Sequence, residues 1–160
     1  MNEKEKEEDA KLDPAVKAAR YHGVIQERLY LIKQIVLKIS DRKHFGEVCK
    51  LEKAFAKELP EHFHAEEELL FPVIELRGTP EQKALMARLR REHKELTAQA
   101  RAIASIFMEN IFPLAQDVVE RVNRQLEDFA EAVTRHAQLE DAEMFPVFHR
   151  LREGAPRPSV

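Results

Sequence analysis

The stretch His62-Phe63-His64-Ala65-Glu66-Glu67-Glu68-Leu69-Leu70-Phe71-Pro72 is echoed later by His136-Ala137-Gln138-Leu139-Glu140-Asp141-Ala142-Glu143-Met144-Phe145-Pro146. Each reads His, three residues, a pair of acids, and then Phe-Pro at the same distance. On a helix, a His and a carboxylate at i and i+4 lie one above the other on one face, which offers two ligands to one metal centre. The repetition in a shared register suggests two facing helices, each supplying half of a site.

The rest of the chain supports a helical frame. Its 160 residues suit one domain with a real core, and only four are glycine. Strand-like alternation is missing, so the expected class is all-α. Asp13-Pro14 starts a first helix whose apolar stripe (Ala18, Ile25, Leu29, Ile32, Val36, Ile39) carries His22 and runs to about Ser40. A turn is expected over 41–46. The second stripe is Val48, Leu51, Phe55, Leu59, His62, Glu66, Leu69 or Leu70, and Val73, with Pro60 expected to kink it. Gly78 ends that helix, and Thr79-Pro80-Glu81-Gln82 is a capping box opening the third. The third stripe is Leu85, Leu89, His93, Leu96, Ala100, Ile103 and Phe107. After a loop over 109–113, the fourth is Val119, Val122, Leu126, Phe129, Val133, His136, Glu140, Met144, Val147 and Leu151. Four long helices with short loops predict an antiparallel up-down-up-down bundle over residues 13–153. A disordered charged tail over 1–12 and a flexible tail over 154–160 are expected to flank it.

In such a bundle, residues equally far from a turn share a height. His22 and His62 are equidistant from position 42, and His93 matches the His62/Glu66 midpoint about position 78 to within one residue. Measured from position 111, His136 and Glu140 lie several residues further out than His93, so the third check fits less well. A lone His on an apolar stripe is more often a hydrogen-bonded core residue than a ligand. Four imidazoles and two carboxylates at one level are different, because buried carboxylates need partners or metals. His44, His64 and His149 fall off the stripes and read as surface residues. Glu67 and Asp141 read as solvated acids, with a role beside the site as the alternative. Phe71-Pro72 and Phe145-Pro146 read as packing and helix-bending elements.

Other classes are excluded or disfavoured. The net charge of -3 comes from interspersed acids and bases, so no basic face invites nucleic acid. Cys49 alone rules out an internal disulfide and a cysteine-based metal site. No apolar run reaches membrane-spanning length, and the acidic N-terminus is unlike a targeting peptide, so a soluble cytoplasmic protein is expected. The Glu-x-x-His spacing of ferritin-like bundles occurs once, at Glu61 and His64, off the stripe.

At these residues the chain resembles the hemerythrin-like (HHE cation-binding) family, over roughly residues 14–152. The resemblance implies a non-haem di-iron centre with His22, His62, His93 and His136 as imidazole ligands and Glu66 and Glu140 as bridging carboxylates. Manganese or zinc also suits that ligand set. Thr97 stands where oxygen-carrying members place a second His in a His-x-x-x-His pair, leaving the site one imidazole short. The implied functions are binding, sensing or scavenging of O2, NO or peroxide, including in stress responses. The alternative is an iron-binding, storage or structural metal module without redox chemistry. An enzyme such as a peroxidase is a third possibility, though no general acid or base beyond the ligands is visible. Tyr21, beside His22, is placed either at the site or at a helix interface.

Overall fold

A computed structural model describes residues 12–36, 42–109 and 112–153, without the side chains of 42–44 and 51–54. The expected tails, apart from residue 12, together with Ile39, Ser40 and the side chains of His44 and Leu51, lie outside the described residues. The described residues contain no strand. In chain order the elements are α1 (Pro14–Val36), α2 (Arg42–Leu69), α3 (Phe71–Arg77), α4 (Pro80–Glu109), α5 (Gln116–Leu139), a π-helical turn (Glu140–Met144) and α6 (Phe145–Glu153).

Local signals explain where these helices start and stop. The Asp13 carboxylate accepts from the Ala15 amide at 2.9 Å, capping α1. Thr79 and Gln82 form the reciprocal box: the Thr79 amide donates to Gln82 Oε1 at 3.0 Å, and the Gln82 amide donates to Thr79 Oγ1 at 3.4 Å. Thr79→Ala is expected to cost about 0.5–2 kcal/mol, read as a lower urea midpoint with an unchanged slope. Gly78 closes α3 by donating its amide to Ile74 O at 2.7 Å. A Cβ there would sit 2.5 Å from that same oxygen, which explains the glycine.

The two Phe-Pro pairs alter the helices just beyond the repeated motifs. Proline has no N–H and its ring crowds the carbonyl four residues back. After Glu66 the result is a break at Leu70, where α2 gives way to α3. After Glu140 it is the π-helical turn ahead of Phe145 and Pro146, a feature often found at functional sites. Pro60, by contrast, sits inside α2 without interrupting it.

Some expectations shift. Residues 42–46, expected as a turn, are the first turns of α2. At the Leu70 break the buried positions are Leu70, Phe71 and Ile74, while Leu69 is exposed and Val73 half-buried. Met86 and Val118 are buried where Leu85 and Val119 were expected, and those two are half-buried, as is Leu151. A core-facing arc wider than 100° takes in neighbouring positions, so a one-residue shift costs little.

α1 packs on α2 and α5, α4 packs on the same two helices, and α3 and α6 pack on each other. Two apolar clusters result. The larger holds Ile25, Leu59, Leu96 and Val133 with Phe55, Leu126 and Phe129. The smaller holds Ala18, Leu70, Leu89 and Met144 with Phe71 and Phe145. On each long helix the motif residues fall between a member of one cluster and a member of the other. Among the described residues, no helix is long and apolar enough to cross a membrane.

Candidate metal centre

Between the two apolar clusters lie six buried polar side chains: His22, His62, Glu66, His93, His136 and Glu140, each at most 8% exposed. These are the residues singled out in the four stripes, and the structure brings all six together. The third height mismatch shrinks once real helix ends replace a single turn point. α4 continues to Glu109 and α5 does not start until Gln116, so the connection takes up part of the excess.

The carboxylates face both pairs of imidazoles. Glu66 points Oε1 at His62 Nε2 (3.3 Å) and His22 Nε2 (3.8 Å), and Oε2 at His93 Nε2 (3.6 Å). Glu140 points Oε2 at His22 Nε2 (3.1 Å), and Oε1 at His136 Nε2 (3.2 Å) and His93 Nε2 (3.3 Å). Two ion-sized groupings follow, His22/His62/Glu66/Glu140 and His93/His136/Glu140, with the donor atoms in each within 4.8 Å of one another.

Of these approaches only that of His93 Nε2 to Glu140 Oε1 is a hydrogen bond. Among the described residues, six buried side-chain polar atoms have no hydrogen-bond partner, and all six belong to this cluster: Nε2 of His22, His62 and His136, both oxygens of Glu66, and Oε2 of Glu140. Buried polar groups are nearly always paired, since each one left unpaired costs about 1–3 kcal/mol. Nitrogen and carboxylate donors converging on shared space fit divalent cations such as iron, manganese or zinc.

Without a cation, protons must balance the charge, and they do so unevenly. Burial disfavours a cationic His22, yet the Glu140 and Glu66 carboxylates carry it up to about 10. His136 is likewise raised, against its burial, by Glu140 and Glu92. Burial and then the neighbouring His22 push His62 down to about 3. Burial and the adjacent Glu140 lift Glu66 to about 8. Glu140 resists its own burial, because His136, His22 and His93 hold it well below the usual carboxylate range. Cations would displace these protons, which couples metal affinity to pH.

Aromatic rings pack against the imidazoles. Phe63 lies flat on His93 at 4.0 Å, Phe71 stacks on the same ring at 5.6 Å, and Phe145 stacks on His22 at 5.7 Å. The Phe-Pro phenylalanines therefore serve the centre as well as the core. Tyr21 does reach the site: its ring lies 4.5 Å from that of His62, and its hydroxyl donates to Glu58 at 3.4 Å.

The outer imidazole nitrogens favour the alternative reading of Glu67 and Asp141, a role beside the site, although Asp141 remains half exposed. Nδ1 of His93 pairs with Glu67 at 2.8 Å, and Nδ1 of His22 pairs with Asp141 at 3.2 Å. Nδ1 of His136 pairs with Glu92 at 2.9 Å, a residue the sequence reading missed. Its only signal is adjacency to His93, and it acts across the bundle on a different histidine. Of the remaining histidines, His64 is exposed and pairs with Glu68, while His149 is half-buried beside Phe148.

Three clefts reach the cluster. The largest, about 600 Å³ and mostly apolar, lies between α1 and α2 and meets His62 and Glu66. A second of about 330 Å³ meets His136 beside Glu92. The third, about 350 Å³, opens where Thr97 stands one turn beyond His93, the position at which the resemblance pointed to a missing imidazole.

The family model described as the Hemerythrin HHE cation binding domain matches residues 17–148. No curated protein and no solved structure matches the chain significantly.

Proposed function

The chain belongs to the hemerythrin HHE cation-binding domain family, and from that premise we propose that it holds two iron ions in the buried cluster and binds O2, NO or peroxide there, to sense or scavenge it. His22 and His62 would hold one ion, His93 and His136 the other, with Glu66 and Glu140 shared between them. The observation that carries this reading is the set of six buried donor atoms without hydrogen-bond partners, all in one cluster. Held there in the ferrous state, the pair would supply redox chemistry, up to two electrons for a bound oxidant.

The protein's own groups shape that chemistry. Glu66 and Glu140 balance cation charge inside a site that Leu59, Leu89, Leu96 and Val133 keep apolar. The space beside Thr97 and the α1/α2 cleft give small molecules a way in. We read the bundle as antiparallel, up-down-up-down. That reading is supported by the order of the apolar clusters: α1 and α4 run from the smaller cluster to the larger, and α2 and α5 run the opposite way.

Protein purified from iron-fed cells is expected to carry two irons per chain and near-ultraviolet charge-transfer bands that change on adding NO or peroxide. An iron-free product that takes up no divalent ion overturns the proposal. A bound, spectroscopically inert zinc would instead favour a structural or storage role.

A further inference from the structure

The two halves of the centre are braced differently. In one half, Glu67 takes His93 Nδ1 at 2.8 Å and is itself held by Arg90 Nη1 at 2.9 Å, whose other amine bonds Glu75 at 3.1 Å. Likewise Glu92 takes His136 Nδ1 at 2.9 Å and is held by Arg88 Nε at 2.7 Å. Both imidazoles therefore sit on carboxylates that arginines keep in place.

The other half lacks this. His22 Nδ1 meets Asp141 at 3.2 Å, but that acid is half exposed, and among the described residues no cation bonds it. His62 has, among the described residues, no carboxylate on Nδ1; the ring of Tyr21 lies against it instead.

A carboxylate on the outer nitrogen fixes an imidazole's tautomer and orientation and makes the inner nitrogen a stronger donor. Its negative charge also favours a cation nearby. We infer that the His93/His136 half fills first and holds its ion more tightly, with Glu92 and Glu67 as positioning residues, and that the His22/His62 half is the exchangeable one. This rests on the two-ion reading above. The first ion also occupies the shared Glu140, so the second binds to weaker, partly engaged donors beside an existing charge.

Calorimetric titration of the metal-free full chain with zinc(II), which has no redox chemistry, tests this. Two uptake steps are expected, differing by about tenfold or more in affinity. Glu92→Gln should weaken the tighter step by about tenfold while leaving the looser step and the metal-free melting temperature in place. His62→Ala should abolish the looser step only, and Asp141→Asn should weaken that step only. Two equal steps overturn the inference, as does loss of the tighter step in His62→Ala. So does an equal weakening of both steps by Glu92→Gln with a lowered melting temperature, the mark of a merely structural role. No zinc uptake by the unaltered chain would sink the metal-centre reading itself, a result distinct from these.

Discussion

Replacing Glu66 with leucine is expected to raise the stability of the metal-free protein while abolishing two-ion binding. Glu66 is 1% exposed, neither of its oxygens has a hydrogen-bond partner, and Glu140 lies in the same cluster. Exchanging a buried polar group that lacks hydrogen-bond partners for an apolar one of similar size removes the desolvation cost of leaving it unpaired, about 1–3 kcal/mol. At roughly 2–4 °C per kcal/mol for a chain of this size, the melting temperature should rise by several degrees.

The gain should depend on pH. Glu66 is raised to about 8 in the fold, against about 4.3 in an unfolded chain. Between those values the unfolded chain holds fewer protons at this group than the native one, so its contribution to stability falls as pH rises. The advantage of Glu66→Leu should accordingly be small near pH 4, grow through neutrality and level off above about pH 8. Adding iron should reverse the ranking, since only the unaltered chain can hold both ions and gain the stabilisation of the second, about 4 kcal/mol at a thousandfold excess over its Kd. A leucine variant that melts below the metal-free parent at pH 8 would show that Glu66 is satisfied without a cation.

Phe63→Ala should give the largest loss of stability among these variants, about 3–5 kcal/mol, as for other buried phenylalanines. Phe63 is 4% exposed and lies flat on His93, with its ring 5.3 Å from His136 and 5.7 Å from His62. Its removal opens a cavity on the three imidazoles at once. Beyond a melting temperature lower by roughly 6–20 °C, zinc affinity should fall by about tenfold as the rings lose their fixed orientation. Phe63→Leu, which keeps most of the volume, should retain both uptake steps at a cost of about 1.5 kcal/mol or less. If Phe63→Ala melts within a degree of the parent, the ring is not part of the packing that sets the site.

The six residues of the centre were legible in the sequence because helical periodicity converts position into direction. His22, His62, Glu66, His93, His136 and Glu140 each occupy a stripe position, and burial of a whole stripe leaves such residues no other way to face. Two helix starts were legible for a similar local reason, since the caps Asp13 and Thr79 act on amides two or three residues away, whereas the start of α2 fell where a turn was expected.

What stands behind the imidazoles depended on tertiary structure. Glu92 pairs with His136 and Asp141 with His22 across the bundle, contacts with no sequence spacing, and an Arg88–Glu92 pair one turn apart reads like any surface pair. Tyr21 could be settled against His62 only once α1 and α2 were packed together. The break at Leu70 and the π-helical turn at Glu140–Met144 also escaped periodicity, because each shifts the phase that periodicity assumes. One-dimensional pattern determined which side chains enter the core; the packing of four helices decided which charges brace them there.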